Sequence, residues 1–321
     1  MILLERKMPN KLSFANALVR RLNNKHEHFD YYVKLANRLQ AGYKGELFVD
    51  RLLVELTKPE KHFFIFNYEC INEFGFPHQI DTLLLSPEFL LIIEIKNISG
   101  RVDYEEDKHQ LTRTLENTIE SFTNPFAQIR RHGQYFFRLL KRLKIPLPIE
   151  YAIVSSNPST IIGKIPKHPP FFHASGLQFY LNKLEAKYKP VVTNEQLVEL
   201  ANYLNSNLKR SEAKNHIELC HIKKGVLCEI CNYEFQMHYK AGTWCCPKCR
   251  VRNKKAILQA LDDYRLLVNN YITNQEFREF FGIDSMHVAS KLLARLGLTS
   301  EGEKRGRRYL IPEDIVNKGP F

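Results

Sequence analysis

Two apolar runs dominate the hydrophobic pattern of the first half of the chain, Ile80–Leu85 and Phe89–Ile95. The segment Ser86-Pro87-Glu88 separates them, and Pro favours a turn because it cannot donate to a strand ladder. The pattern therefore predicts a β-hairpin of two buried strands. Similar apolar runs predict one strand over residues 62–71 and another over residues 150–162.

Apolar residues at three- and four-residue spacing predict helices on both sides of the hairpin. Gly42 and Gly45 loosen the chain, so one helix is expected over residues 46–56, with Glu46 in its first turn. Asn124-Pro125 is typical of a helix start, which places Gln128 in the first turn of another helix. The remaining segments are a helical N-terminus (residues 1–40), a strand or loop (99–107), a polar stretch whose structure the pattern does not decide (111–122) and a terminal helix (194–208). Strands flanked by helices predict an α/β core, a central mixed sheet between helical layers.

Three charged residues interrupt the otherwise apolar hairpin: Asp81, Glu94 and Lys96. Residues two apart on a strand share a face, so Glu94 and Lys96 point the same way. In an antiparallel hairpin the start of one strand lies beside the end of the next, which brings Asp81 next to Glu94. Carboxylate oxygens suit Mg²⁺ or Mn²⁺, and Lys96 would orient a water or neutralise developing charge. The alternative is an exposed sheet end that carries a Glu–Lys ion pair.

Four short motifs in a fixed order surround these charges: GYKGE, QIDTLLL, IIEIKN and NPFAQ. This set resembles the nuclease-related domain (NERD) family, over roughly residues 1 to 190. That family is similar to the PD-(D/E)xK nucleases, so the resemblance implies a restriction-endonuclease-like α+β core. It also implies catalytic roles for matching positions, and metal contacts from two of their carboxylates and from one backbone carbonyl. The catalytic positions are Glu46, Asp81, Glu94, Lys96 and Gln128, and the metal contacts are Asp81, Glu94 and the carbonyl of Ile95. For Gln128, a hydrogen bond to its own loop is an equal alternative.

The composition changes the picture chiefly through charge. The chain has 321 residues, a formal net charge of +12 and a pI near 9.3, which suits two or three domains and a polyanionic partner. No apolar run reaches the roughly 18 to 20 residues that span a bilayer, and the first residues lack the apolar stretch of a signal peptide. Five of the seven cysteines lie between Cys228 and Cys249, which indicates a metal site in a reducing compartment. A cytoplasmic protein is the expectation.

The cysteine spacing predicts a structural zinc site. Cys228-x2-Cys231 and Cys246-x2-Cys249 form the paired C-x2-C pattern that holds tetrahedral Zn²⁺, and the segment resembles a zinc ribbon. Four thiolates leave no open position for a substrate, so this metal is expected to be structural. The neighbouring Cys245, Cys220 and His221 are given an incidental role.

The last segment shows the pattern of a helix-turn-helix followed by a basic turn and a strand. Thr273 to Glu276 form a capping box, and Gly282 and Gly297 end two helices. The pattern resembles a winged helix, and a small helical interaction domain is the alternative. In a winged helix, the recognition-helix positions would be Ser285, Met286, His287, Ser290 and Lys291. The phosphate contacts would be Lys304, Arg305, Arg307 and Arg308.

The expected organisation is therefore modular. It consists of an N-terminal helical segment packed on the core (residues 1–40), a NERD nuclease-like domain (41–208), a linker (209–219), a zinc ribbon (220–252) and a winged-helix domain (253–321). The leading hypothesis is a Mg²⁺- or Mn²⁺-dependent DNA nuclease that its C-terminal modules target, with RNA a less favoured substrate. The alternative is a catalytically silent DNA-binding regulator or scaffold. Whether the chain forms a homo-oligomer stays open.

Overall fold

A computed structural model describes residues 1–57, 61–209 and 217–317 of the chain. It divides the chain into two compact units. The first unit combines Met1–Met8 with Gln40–Ser211, and the second combines Pro9–Leu39 with Glu212–Phe321. Within the described residues, no helix is long and apolar enough to span a membrane.

The elements of residues 1–209, numbered in chain order, are β1 (Ile2–Leu4), α1 (Asn10–Arg21), α2 (Phe29–Leu56), β2 (Phe63–Ile71), β3 (Pro77–Leu85), β4 (Leu90–Lys96), β5 (Gly100–Glu105), β6 (Gln110–Leu115), β7 (Thr118–Phe122), α3 (Pro125–Leu143), β8 (Ile149–Ser155), β9 (Thr160–Ile162), β10 (Phe171–His173), α4 (Leu177–Lys187) and α5 (Asn194–Ser206). Those of residues 217–317 are β11 (Val226–Leu227), β12 (Gln236–Lys240), β13 (Thr243–Cys245), β14 (Arg252–Asn253), α6 (Ala256–Leu267), β15 (Tyr271–Thr273), α7 (Asn274–Phe281), α8 (Met286–Leu296), β16 (Ser300–Glu301) and β17 (Arg308–Leu310).

A six-stranded mixed sheet forms the centre of the first unit, in the order β1-β2-β3-β4-β8-β10. Strands β2, β3 and β4 are antiparallel to one another, whereas β4 pairs with β8 in parallel. One face of the sheet packs against apolar residues of α3 and α5, and the other against those of α2 and α4. Both faces are covered, which explains why β3 and β4 read as continuous apolar runs. The predicted α/β core with a central mixed sheet is thus confirmed.

The predicted hairpin is present as β3 and β4, with Thr82 opposite Ile93 and Leu85 opposite Leu90. The prediction of a single strand over residues 150–162 was wrong, because two strands occupy this stretch. β8 lies in the central sheet, whereas β9 joins a second sheet in the order β7-β6-β5-β9. The undecided residues 111–122 supply much of β6 and all of β7 in this second sheet. Alternation of small polar and apolar residues gave too weak a signal to assign them from the sequence.

The helix expected over residues 46–56 is the end of the much longer α2, so Glu46 does not lie in a first turn. Neither Gly42 nor Gly45 interrupts it. Gly45 serves close packing instead, because a Cβ added there would lie 2.3 Å from Ser156 Oγ and 3.0 Å from Asn97 Cβ. Asn97 also donates a 2.7 Å hydrogen bond from Nδ2 to the carbonyl of Ala41. The glycine therefore lets α2 approach the carboxyl ends of β4 and β8.

The N-terminal segment differs in part from the expected helical residues 1–40, and its packing on the nuclease-like core stays a prediction. Ile2–Leu4 form an edge strand parallel to β2, and residues 9–39 group with the C-terminal residues instead. Charge explains part of this grouping, since Arg20 and Arg21 of α1 both pair with Asp263 of α6, at 2.6 and 2.8 Å. Arg21 and Asp263 are 1 % and 2 % exposed, so this ion pair is buried.

Besides α1 and the start of α2, the described residues of the second unit form the small sheet β11-β12-β13-β14, the helices α6, α7 and α8, and the three-stranded sheet β15-β17-β16. The predicted capping box is present: Thr273 Oγ1 accepts from the N–H of Glu276, whose side chain accepts from the N–H of Thr273. Ser285 caps α8, and Gly282 and Gly297 end α7 and α8 in the left-handed conformation. Residues 210–216 of the expected linker lie outside the described residues.

Candidate active site and metal centre

The antiparallel strands β3 and β4 separate at their polar end. Their pairing begins at Thr82 and Ile93, and beyond that point Asp81 uses its side chain to bridge the gap. Its Oδ2 accepts the backbone N–H of Ile95 at 2.7 Å. The sequence prediction that Asp81 lies beside the end of β4 is therefore consistent with the geometry.

On the other side of Asp81, strand β2 is distorted. Asn67 lies opposite Asp81 in the otherwise constant β2–β3 register, but it adopts a positive φ of 51° and forms no ladder pair there. Side-chain contacts hold Asn67, since Gln79 donates to its Oδ1 at 3.0 Å. Arg6 Nη2 donates to the carbonyl of Asp81 at 2.6 Å. A strained residue of this kind persists only where its surroundings fix it, and such residues concentrate at functional sites.

Glu94 and Lys96 lie on the same face of β4, as the sequence predicts, and form an ion pair. Lys96 Nζ lies 2.7 Å from Glu94 Oε1. Glu94 is 2 % exposed, and its Oε2 has no hydrogen-bond partner among the described residues. A buried carboxylate oxygen without a partner is costly, so an electropositive ligand is the natural complement of Oε2.

Glu46 approaches the same site from α2. Burial, and then the charge of Asp81, raise the pKa of Glu46 to about 7, although Arg6 opposes the shift. Burial and Asp81 likewise raise the pKa of Glu94 to about 8, against the effect of Lys96. Burial alone would lower the pKa of Lys96, but Glu94 and Asp81 raise it, so Lys96 is an ammonium cation at neutral pH. Each group influences the others, which shows that the sequence-predicted Glu46, Asp81, Glu94 and Lys96 converge.

Gln128 is the member of the motif set with the weakest connection to this cluster. It lies half-buried in the first turn of α3, which Asn124 caps as predicted by accepting from the N–H groups of Phe126 and Ala127. Within the described residues, the Gln128 side chain makes no hydrogen bond to the four charged groups. Its direct role stays a prediction.

Two site residues, Arg6 and Asp50, were missed in the sequence. Arg6 Nη1 lies 2.6 Å from Glu46 Oε2, and Arg6 Nε lies 2.6 Å from Asp50 Oδ2. Thr82 Oγ1 donates to the same Asp50 carboxylate at 3.2 Å. A signal for Asp50 exists, because it follows Glu46 by four residues and so shares its helix face. Arg6 precedes α1 in a segment without periodicity, and nothing local indicates its long-range partners.

A histidine pair next to the site was also missed. His78 Nδ1 lies 2.9 Å from His132 Nδ1, joining β3 to α3, and both rings are buried. Burial lowers the pKa of His132 to about 3, with smaller contributions from His78, Arg131 and Lys96. Burial and the nearby Arg131 and Arg138 lower the pKa of His78 to about 4. Both imidazoles are therefore neutral at physiological pH.

Comparison with known proteins agrees with the motif set. Residues 41–156 match the model of the nuclease-related domain family. This part of the chain is a nuclease-related domain. The match contains Glu46, Asp81, Glu94, Lys96 and Gln128, and it is shorter than the roughly 190 residues expected from the motifs. An uncharacterized protein of Bacillus anthracis is 24 % identical over 188 residues, covering 57 % of this chain and 84 % of that protein. No solved structure matches the chain.

Outside the NERD domain, the four predicted thiols come together in the second unit. The donor atoms of Cys228, Cys231, Cys246 and Cys249 all lie within 4.8 Å of one another. The Cys228–Cys249 and Cys231–Cys246 sulfur atoms are 3.6 and 3.8 Å apart. A tetrahedron with Zn–S bonds of 2.3 Å has edges of about 3.8 Å, so the cluster fits a zinc ribbon.

The other sulfur and imidazole groups nearby are not part of this cluster. Cys245 lies on β13 but outside the four-thiol group, while Cys220, His221 and Glu218 form a separate, fully exposed group. His26 Nε2 lies 3.3 Å from His221 Nδ1, and His26 Nδ1 accepts the backbone N–H of His28. This arrangement is a chain of ordinary hydrogen bonds, because each acceptor nitrogen leaves the proton on the other nitrogen of its ring.

The residues predicted for DNA recognition lie on the exposed side of α8 and in the turn before β17. Ser285, Met286, His287, Ser290 and Lys291 are exposed, although Ser290 accepts a 3.0 Å hydrogen bond from Asn274. Lys304 and Arg307 are exposed, and the side chain of Arg305 lies outside the described part of the chain. Arg308 pairs with Glu301 at 3.0 Å and lies over the ring of Tyr271, so its guanidinium is already engaged.

Proposed function

We propose that the chain is a Mg²⁺- or Mn²⁺-dependent nuclease that hydrolyses DNA phosphodiester bonds. Charge balance in the buried site supports this best. When ionised, the four carboxylates of Glu46, Asp50, Asp81 and Glu94 face two cations among the described residues, Arg6 and Lys96. One divalent cation would neutralise the excess, and an all-oxygen donor set suits Mg²⁺ or Mn²⁺.

The residues divide the work between binding and charge compensation. Glu94 Oε2, the carboxylate of Asp81 and the carbonyl of Ile95 would hold the cation, with Glu46 in support. A bound divalent cation activates water and stabilises charge on the scissile phosphate. Lys96, as an ammonium group, would position that water or neutralise the developing charge, but it carries no lone pair to act as a base. Arg6 would keep Glu46 directed at the site.

DNA is the proposed substrate because the second unit carries a basic helix and turn. The exposed face of α8 would read base edges, and Lys304 and Arg307 would contact phosphates. The four-thiol cluster would hold Zn²⁺ as a structural metal, since all four positions come from the protein. RNA is the less favoured substrate.

A catalytically silent DNA-binding protein is the second candidate, and one observation favours it. Arg6 and Lys96 each occupy one oxygen of an acidic site residue, Glu46 and Glu94. Such ion pairs partly satisfy the site without any metal.

Cleavage of supercoiled plasmid in Mg²⁺, Mn²⁺ or EDTA separates the two candidates. We expect metal-dependent nicking that falls at least about 100-fold in Lys96→Ala. Lys183→Ala, an exposed lysine on α4, is the matched control and should cut like the wild type. If the wild type shifts DNA in a gel but cuts neither DNA nor matched RNA in any metal, the silent candidate replaces the nuclease.

Salt dependence of binding tests the targeting role of the second unit. Each lost phosphate contact should reduce the slope of log affinity against log salt by about 0.9 for duplex DNA. We therefore expect a reduced slope for Lys304→Ala and Arg307→Ala. Lys254→Ala, another exposed lysine of the second unit, is the control, and an equal effect there would argue against a defined binding turn.

A further inference from the structure

The β2–β3 hairpin extends well past the active site. Pairing between β3 and β4 stops at Thr82, but pairing between β2 and β3 continues to Ile71 and Pro77. Residues 71–77, which we call the aromatic arm, therefore form the end of a two-stranded extension. Phe76 is five residues from Asp81, which corresponds to roughly 17 Å along a strand.

The tip of the aromatic arm is a defined turn. Asn72 Oδ1 accepts the N–H groups of Phe74 and Phe76 at 3.0 and 2.9 Å, and the N–H of Asn72 donates to the carbonyl of Phe76 at 2.9 Å. Gly75 takes the positive φ of 83° that this turn needs. Phe74 and Phe76 are nevertheless 66 % and 61 % exposed. Two large aromatic rings held in water by an ordered turn are unusual and indicate a binding surface.

Positive charge accompanies these rings. The guanidinium of Arg138 lies 5.4 Å from the ring centre of Phe74 and donates to Glu73 at 2.7 Å. Arg131 and Arg138 are both exposed on α3 and lie close enough to His78, at the start of β3, to lower its pKa. Basic side chains therefore lie along the interval between the arm and the active site. Because Arg138 is already paired with Glu73, the charge that favours a polyanion over a neutral or cationic protein surface comes chiefly from Arg131.

We propose that Phe74 and Phe76 stack on unpaired nucleobases of the strand whose phosphate occupies the active site. This inference rests on the proposed nuclease function and specifies its substrate as single-stranded nucleic acid or a junction with an unpaired strand. Aromatic side chains stack on any base, whereas bases inside a duplex are not accessible to them. A stacked strand advances about 3.4 Å per nucleotide, so the rings would contact bases about five nucleotides from the cut.

A tryptophan at the tip reports stacking directly. The natural Trp244 is 1 % exposed and lies in the second unit, and the wild type titrated with the same strands gives the background to subtract. In buffer without Mg²⁺, Mn²⁺ or chelator, we expect the fluorescence of Phe74→Trp to be quenched by oligo(dT) of 20 nucleotides, but not by an abasic strand of equal length. A blunt 20-base-pair duplex should quench much less. Equal quenching by the abasic strand, or binding without any quenching, would overturn the proposal.

Affinity gives the second measurement, again without Mg²⁺, Mn²⁺ or chelator. The Phe74→Ala/Phe76→Ala variant should bind the labelled single strand about 5- to 150-fold more weakly than the wild type. Phe179→Ala is the matched control, since Phe179 is 78 % exposed on α4 of the same unit. An unchanged affinity in the double variant would contradict the proposal.

Quenching and affinity do not depend on catalysis, so they test the proposed role of the aromatic arm independently of the proposed nuclease activity. Quenching without cleavage of the plasmid, of the single strand or of matched RNA in Mg²⁺ or Mn²⁺ would support the arm and reject the enzyme. Metal-dependent cleavage with neither quenching nor an affinity loss would keep the enzyme and reject the arm.

Discussion

Asp81 holds the N–H of Ile95 with its carboxylate at 2.7 Å, across the point where β3 and β4 separate. The side chain thus replaces a missing strand–strand hydrogen bond and supplies a candidate metal ligand. A substitution at this position can remove either property or both, depending on its chemistry.

Asp81→Asn and Asp81→Ala should therefore have different effects on stability. An amide oxygen still accepts the N–H of Ile95, so the asparagine variant should lose cleavage while its free energy of unfolding stays within about 1 kcal/mol of wild type. Alanine leaves that buried N–H without a partner and should cost about 1–3 kcal/mol. Urea unfolding followed by circular dichroism measures both, and equal stability of the variants would show that the hydrogen bond contributes little.

Glu94→Gln should stabilise the metal-free protein at alkaline pH. The pKa of Glu94 is raised to about 8, so ionisation between pH 4.5 and pH 8 weakens the native state. Each pKa unit corresponds to about 1.4 kcal/mol, and glutamine removes this penalty. Without Mg²⁺, Mn²⁺ or chelator at pH 8, the first unit of the variant should melt at a higher temperature than that of the wild type, and the difference should vanish near pH 5.

Two controls make this measurement specific. Trp244 fluorescence identifies the transition of the second unit, which should not change. Glu199→Gln, at an exposed position on α5, should leave both transitions unchanged. A Glu94→Gln protein that melts below the wild type at pH 8 would contradict the proposed cost of the buried carboxylate.

Arg6→Ala should be among the most destabilising single substitutions in the first unit. Its side chain is 2 % exposed and pairs with Glu46 and Asp50. Its removal leaves these carboxylates without their cation and should lower the free energy of unfolding by about 3–5 kcal/mol. Adding Asp50→Asn should recover part of the loss, because the remaining partner is then neutral. Denaturant unfolding of the single and double variants measures this coupling, and strictly additive effects would exclude it.

The buried histidine pair predicts a loss of stability in acid. The pKa values of His78 and His132 are lowered to about 4 and 3. Below pH 6.5 these histidines therefore bind protons in the unfolded chain but remain neutral in the native state, which lowers the free energy of unfolding. Each histidine should cost roughly 2 kcal/mol by pH 5. The pH dependence of unfolding should be shallower in His132→Gln, and His173→Gln, at a half-buried site on β10, should retain the wild-type slope.

Removal of metal from the four-thiol cluster should expose Trp244, which is 1 % exposed beside Cys245 and Cys246. We expect a strong chelator, or Cys246→Ser, to shift the tryptophan emission to longer wavelength, and zinc to reverse the chelator effect. Cys245→Ser should leave the emission unchanged. If Cys245→Ser also shifts it, the identity of the ligands must be revised.

Sequence reasoning succeeded where the signal is local. The hairpin, the Asn124 cap, the Thr273 capping box and the Cys-x2-Cys pairs depend on neighbours within a few residues. The hairpin pattern therefore identified two of the site carboxylates, Asp81 and Glu94, and the lysine, whereas Glu46 came from the resemblance to NERD proteins. The resemblance to NERD proteins contributed roles that spacing alone does not give.

What the sequence did not reveal depends on distant contacts. Arg6 joins the site through Glu46 and Asp50, which lie 40 and 44 residues further along the chain, and no local pattern marks it. The uninterrupted course of α2 was missed because glycine usually weakens a helix, whereas packing against Ser156 here requires it. The separation of β8 from β9 has the same origin, since pairing partners in two different sheets decide it.

The discontinuous second unit has a consequence for synthesis on the ribosome. Helix α1 emerges early, but its partner Asp263 follows only after the entire NERD domain has been made. Until then, Leu18 of α1 and the following Leu22 lack their late partners Ile217, Ile222 and Leu267, although Phe29 and Tyr32 of α2 are already present. A C-terminal fragment made without α1 faces the converse problem, because Asp263 would keep a buried charge without its two arginines. The order of translation thus makes the first helix of the chain one of the last to complete its native contacts.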